Sequence, residues 1–379
     1  MMKKFMQDAK AVSPVVATLM LVLVAAGAAV GLGVFLGAFQ DNAQDSLGNT
    51  SVSGDCVSIG GSTTVHPFTV IGTGLFEAQN PGICFDLSQG GSTLGLKGVG
   101  TCALDIGARS KVTTTSELET YPDCDGSAGK DIGQNLVQTK LGDDGVIPIV
   151  SSSNCLNTGA SAGQVGLLQD ELRDIYGANG GKSGYALAAI TDTDADTTIS
   201  WDELEAHLDA RDSATYGFGC GSEEIVVYDR ADKGGTSEVF CNSLLGDKKG
   251  ANVGFCDSES QATTGNLPNM IEKEGNAAVE SAVEGDANAL GFSSIGTADA
   301  AGLTLLGFDN ADATYANNLV DGTLDYEEEI VDGNYDGARS LFYVTVGEPS
   351  GIVAAYLEFI LTPQTNAAIN DEIGYIPLY

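Results

Sequence analysis

Histidine is nearly absent from this chain, with two among 379 residues. Basic residues are scarce too: 17 Lys and Arg stand against 52 Asp and Glu, for a formal net charge of −35. Each shortage removes a class of function. A nucleic-acid partner needs a basic face to neutralise phosphates, and this balance does not provide one. Catalysis through an imidazole base has only His66 and His207 to draw on. No Walker-type loop is present. No enzyme is expected. The eight cysteines include no C-x-x-C pair, and with so few histidines their spacing does not suit zinc or an iron–sulfur cluster. An even count favours disulfides in an exported protein, with Cys241 and Cys256 able to close a short loop and the other connectivities open.

What is present begins with a membrane signal. Lys3, Lys4 and Lys10 precede Val12 to Gln40, a stretch without a charge that ends at Asp41. At about 1.5 Å per residue it is long enough to span a bilayer. The leading lysines put the N-terminus in the cytoplasm and residues from 41 onward outside, at the cell surface. Residues 41–54 are small and polar, as a tether is. The acid excess beyond them reads as a solvated coat.

From residue 55 the chain alternates short apolar strands with Gly- and hydroxyl-rich loops that lead into helices. CVSIGG runs into Ser62, Thr63 and Thr64; ICFDLSQGG runs into Ser92 and Thr93; CALDIGARSK ends at Arg109, Ser110 and Lys111. Three such strand ends predict an α/β sheet whose ligand lies at the carboxyl ends of the strands. A fourth loop carries more chemistry. In YDRADKGGTSEVF (228–240) a strand stops at Arg230, Asp232 can hold the guanidinium, and Gly234 and Gly235 let main-chain N–H groups approach a ligand before a helix opens near Thr236. Taken alone it is either an oxyanion cradle or an ordinary Gly-rich turn with a surface ion pair.

One insertion has its own spacing. In DTDADTTISWDE (192–203), Asp192, Asp194 and Asp196 occupy positions 1, 3 and 5, Thr198 position 7 and Glu203 position 12. This is the pattern of an EF-hand calcium loop, so structural calcium held by these five residues is expected. Thr197 stands at position 6, where Gly normally supplies the tight turn. An acidic surface loop in an acidic protein is the alternative.

The motifs GGSTTVHP (60–67), QGGSTLGLKG (89–98), LDIGARSK (104–111), DDGVIPIV (143–150), DELRDIYG (170–177), DRADKGGTSEVF (229–240), ALGFSSIG (289–296), SLFYVTVG (340–347) and GIVAAYLEFIL with GYIPL (351–378) occur in an order that resembles the PstS-like phosphate-binding proteins of ABC transporters. The resemblance implies a two-lobed periplasmic-binding-protein-like α/β fold with hinge strands near Val146–Val150 and Leu341–Val346. Lobe one would be 55–146 plus 336–379, and lobe two 147–335. It further implies a phosphate site in the cleft, formed by Ser62, Thr63, Thr64, Val65, Ser92, Ser110, Arg230, Asp232, Gly234, Gly235 and Thr236, with an ABC permease as partner. Two departures bear on the ligand. Ser110 stands where some members have an acid that accepts the proton of hydrogen phosphate, which weakens the choice of phosphate over sulfate or molybdate. Gly234 replaces the usual serine, with Lys233 before it.

The segment DAKAVSPVVATLMLVLVAAGAAVGLGVFLGAF (8–39) also resembles archaeal type IV pilins and archaeal binding proteins with pilin-type (class III) signals, which implies cleavage near Lys10 and a retained hydrophobic helix within 1–40. A plain uncleaved anchor is the alternative. Two functions follow: a surface-anchored solute-binding protein for ABC import of phosphate or a related oxyanion, or a pilin-like filament subunit with a phosphate-binding-like head for adhesion or scavenging.

Overall fold

The computed structural model describes residues 56–113, 117, 136–157, 166–213, 215–232, 234–247, 255–256, 269–309, 319–320, 323–324 and 326–379. The hydrophobic stretch within 1–40, the tether 41–54 and Lys233 lie outside the described residues. Among the described residues no helix is long and apolar enough to cross a membrane. Asp55–Tyr379 is one compact unit.

Its strands are β1 (Val57–Gly61), β2 (Phe85–Gln89), β3 (Ile106–Arg109), β4 (Leu136–Val150), β5 (Gly166–Leu168), β6 (Val226–Arg230), β7 (Ile271–Lys273), β8 (Ala289–Ser294), β9 (Thr304–Leu305), β10 (Gly307–Asp309), β11 (Leu319–Val320), β12 (Thr323–Leu324) and β13 (Ala338–Val346). The main sheet runs β2-β1-β3-β13-β4-β8-β6-β7, with β9 beside β4. β2, β1 and β3 are parallel, with Ile59 opposite Leu87 and Ile106. β8, β6 and β7 are parallel as well. Parallel strands need crossover helices, and the sequence supplies them: His66–Gln79 after β1, Ser92–Gly100 after β2 and Gly275–Glu284 after β7.

The two parallel groups are joined by long antiparallel strands. β13 pairs with β4 from Ala338 opposite Gly145 to Val346 opposite Leu136. Beyond Gly145, Val146–Val150 of the same strand pairs instead with β8. One 15-residue strand therefore serves both halves of the molecule.

Each half has its own core. In the first, Phe76 meets Tyr356 edge-on at 5.6 Å between ring centroids, Phe85 lies against Tyr356 at 4.9 Å, and Val57, Ile59 and Ile106 close the interior. In the second, Trp201, Tyr176, Phe240, Phe292 and Ile149 pack together. Each such side chain contributes about 1.5–3 kcal/mol on full burial, so each half has a core of its own from which to present loops.

Three described disulfides add to this: Cys56–Cys84, Cys155–Cys220 and Cys241–Cys256. The last closes the short loop that the spacing allows, and Cys102 is disulfide-bonded too.

Candidate functional site

The carboxyl ends of β1, β2 and β3 meet the turn after β6 across a closed seam. At its centre the hydroxyls of Thr64 and Thr236, 172 residues apart, lie 3.1 Å from each other. Beside them Arg230 donates from Nη2 to Thr63 Oγ1 at 2.7 Å. Ser92 Oγ lies 3.1 Å from Ser110 Oγ and accepts the Ser110 N–H at 3.0 Å. Ser110 in turn abuts Gly235, where a Cβ would fall 2.4 Å from Ser110 Oγ. A Cβ on Gly234 would lie 4.0 Å from Gly91 Cα and 3.5 Å from Arg230 Nη2. Lys111 bonds Glu238 across the same seam and Glu117 on its own side.

Nine of the residues expected from the sequence thus converge: Thr63, Thr64, Ser92, Ser110, Arg230, Asp232, Gly234, Gly235 and Thr236. Ser62 and Val65 do other work. Ser62 Oγ accepts the Val65 N–H at 3.3 Å and Ser62 O accepts the His66 N–H at 3.1 Å, so the pair shapes the entry to the His66–Gln79 helix.

Arg230 is buried, and its fork is held by Asp232. Nε donates to Asp232 Oδ1 at 2.7 Å, Nη2 bonds Asp232 Oδ2, and Gly275 N donates to Asp232 Oδ1 at 2.9 Å. Burial acts to raise the Asp232 carboxyl, but the Arg230 bonds and charge, with the Gly275 N–H, outweigh it and hold it below the usual aspartate value. The guanidinium is tethered at one edge and presents the other.

Two residues that motif reading passes over complete the knot. Asn276 accepts from Arg230 Nη1 and donates from Nδ2 to Thr64 Oγ1 at 3.3 Å. Arg339 donates from Nη1 to Thr236 Oγ1 at 2.7 Å and from Nη2 to Thr64 Oγ1 at 3.1 Å. The seam therefore holds two guanidinium forks, a carboxamide and several hydroxyls; apart from the carboxylates that tether the two forks and Lys111, the side-chain acceptors described here are hydroxyl oxygens and the Asn276 carbonyl. That donor excess suits a ligand made of acceptors. A cavity of about 280 Å³ is lined by Asp144, Glu327, Asp371, Ile295, Ile330 and Tyr375, an acidic lining that does not suit an anion.

At the acidic loop, one carboxylate oxygen from each of Asp192, Asp194 and Asp196 lies within 4.8 Å of the others. Thr197 has φ 77°, the left-handed turn that position 6 requires, reached without glycine. Glu203 reaches back to Thr193, accepting from its hydroxyl at 2.8 Å, and its other oxygen accepts from Ser200 N at 3.1 Å. Thr198 donates its hydroxyl and N–H to Asp196, each at 2.8 Å. Three of the five expected ligands converge and Glu203 lies at the loop's edge; Thr198, at position 7, would ligate through its main-chain carbonyl, so its hydroxyl is left to bond Asp196.

The sequence matches the family model of the PBP superfamily domain over residues 27–364. The chain belongs to this superfamily. Its fold is the two-lobed α/β fold with hinge strands. Solved structures agree. A structure from Clostridium perfringens, assigned as a phosphate ABC transporter substrate-binding protein with bound phosphate, is 20% identical with a TM-score of 0.56, covering 86% of this PBP superfamily chain and 100% of its own. An ABC-type phosphate transport receptor from Vibrio cholerae is 19% identical with a TM-score of 0.51, covering 84% and 99%. A phosphate-binding protein from Stenotrophomonas maltophilia is 15% identical with a TM-score of 0.51, covering 86% and 91%. No curated protein matches the sequence.

Proposed function

We propose that this PBP superfamily chain is a solute-binding protein that captures phosphate, or a closely related tetrahedral oxyanion, between its lobes and presents it to an ABC permease. The observation that carries this reading is the donor-rich seam in which Thr64 faces Thr236 and Arg230 reaches Thr63. Neutral donors and tethered guanidinium groups replace an anion's hydration shell without setting a bare countercharge against it. Thr63, Thr64, Ser92, Ser110, Arg230, Gly235 and Thr236 supply donors, Gly234 gives room, and Asp232 holds Arg230. The lobes close on the ligand, and the closed form is what the permease reads. The similar solved structures named above as phosphate-binding or phosphate-transport proteins support the choice of phosphate. The apolar stretch Val12–Gln40 supports anchoring at the outer surface of the cytoplasmic membrane.

Asp192, Asp194 and Asp196 are proposed to hold a calcium ion, with Thr198 and Glu203 completing the shell. The ion would offset the repulsion among these carboxylates and fix the loop ahead of the Trp201–Asp212 helix.

Calorimetric titration of the full-length chain with phosphate, sulfate and molybdate tests the main reading. Micromolar or tighter binding of at least one, lost in Arg230→Ala, is expected; no heat with any of the three overturns it.

A further inference from the structure

The anion site has a third arm, built into the strands that join the lobes. Arg339 stands opposite Asp144 in the β13–β4 register, one position from where β4 leaves one half of the sheet for the other. Its side chain is 2% exposed. Nε and Nη2 donate to Asp144 Oδ2 at 3.0 and 2.7 Å, and Ser294 Oγ donates to the same oxygen at 2.8 Å. The opposite edge of the fork is spent on two neutral hydroxyls, Thr236 on one lobe and Thr64 on the other.

This arrangement repeats that of Arg230. There too a neighbouring carboxylate holds Nε and Nη2, and the remaining donors turn to the seam, reaching Thr63 and Asn276. Two tethered forks therefore serve one seam, whose central Thr64 and Thr236 hydroxyls Arg339 bonds directly. A hydroxyl oxygen is a weaker acceptor for a guanidinium than an anionic oxygen, so an oxyanion seated there takes Arg339 from its two hydroxyls. The second fork suits a doubly charged anion over a singly charged one. Because Arg339 belongs to a joining strand and not to a jaw loop, anion capture pulls directly on the segment that must flex as the lobes close.

We propose that Arg339 is an anion-contacting residue that favours doubly charged tetrahedral anions and couples their capture to the joining strands. This rests on the oxyanion-binding reading above, and the test separates the two. The full-length chain is titrated with phosphate and with sulfate beside Arg339→Lys, Arg339→Gln and Arg230→Lys. Lysine keeps the charge and loses the fork, so Arg339→Lys is expected to weaken both anions about tenfold and Arg339→Gln about a hundredfold. If both Arg339 variants bind within about twofold of the unaltered chain while Arg230→Lys is impaired, the role of Arg339 is overturned and the oxyanion reading stands. If the unaltered chain binds neither anion, the oxyanion reading itself fails.

Arg339→Gln also strips a buried carboxylate of its partner, so a measurement on the unaltered chain stands beside the variants. In crystals grown with arsenate, an anion oxygen is expected within about 3.2 Å of Arg339 Nη1 or Nη2. Arsenate bound at Arg230, with Arg339 still on Thr64 and Thr236, overturns the proposal.

Discussion

Ser110 and Gly235 meet so closely across the cleft that no side chain fits between them. A Cβ at 235 would fall 2.4 Å from Ser110 Oγ and 2.5 Å from Ser110 O. The hydroxyl can rotate away; the carbonyl belongs to the backbone and cannot without moving the strand end.

Gly235→Ala should therefore wedge the lobes apart. Overpacking of this kind costs about 1–3 kcal/mol, and here it falls on the closed form, since opening the cleft relieves the clash. Phosphate affinity is expected to drop about tenfold to a hundredfold, with little change in the melting temperature of the unliganded chain. Calorimetry and a thermal melt read the two effects separately. An unchanged affinity would show that closure does not bring these residues together.

Asp232 ties stability and the proposed anion site to acidity. Its carboxyl lies below the usual aspartate value in the folded chain because of Arg230 and the Gly275 N–H. A group depressed in this way lends stability that is fully present above the ordinary value of about 3.9 and is lost as pH falls through the lower folded value. Asp232→Asn should flatten the acid limb of the stability curve in that window. Asp232→Ala leaves Arg230 buried without its carboxylate, an expected loss of about 3–5 kcal/mol, measurable by urea unfolding at neutral pH. Acid limbs of equal slope in Asn and unaltered chains would sink the argument.

Glu280 works in the opposite direction. It is buried about one turn along the Gly275–Glu284 helix from Asn276, and its carboxyl accepts from Ser293 Oγ at 2.6 Å and Thr297 Oγ1 at 2.5 Å. Burial raises it above the usual glutamate value, against those two bonds and the charge of Arg230. Between the ordinary and the raised value the folded chain binds more protons than the unfolded one, so stability falls as pH rises. Glu280→Gln keeps an oxygen for both hydroxyls and carries no charge. It is expected to melt higher than the unaltered chain at pH about 8 and to match it near the ordinary glutamate value of about 4.3. A lower melting temperature at the alkaline end would contradict this.

The loops of the proposed anion site are legible in the sequence because each announces itself locally. A short apolar strand, then glycine and hydroxyls, then a helix marks Thr64, Ser92 and Ser110, and Arg230 is set off by its own turn. Asn276 and Arg339 carry no such mark. Asn276 follows Gly275 at the start of a helix, where a polar residue reads as an end signal. Arg339 is a lone charge at the start of a strand, and its partner Asp144 is 195 residues away. Only the antiparallel register of β13 on β4 brings the pair together, and spacing does not encode that register. Ser62 and Val65 show the reverse case: next to Thr63 and Thr64 in sequence, they bond to each other at the helix entry.

The acidic loop offers the last test. Asp194 accepts the Asp196 N–H, which by itself lowers its carboxyl; desolvation and the charges of Asp196, Glu203 and Asp192 prevail, and the carboxyl sits above its usual value. Gathering these charges works against the fold, and a divalent cation would reverse that by binding the folded loop and not the unfolded chain. Millimolar calcium is therefore expected to raise the melting temperature by several degrees, chelator to lower it, and Asp194→Asn to lose most of the increment. In the chelated state Asp194→Asn should melt no lower than the unaltered chain, since it removes a like charge. Melting that ignores both calcium and chelator would mean that the loop serves only as acidic surface, and the left-handed turn at Thr197 would then need another reason.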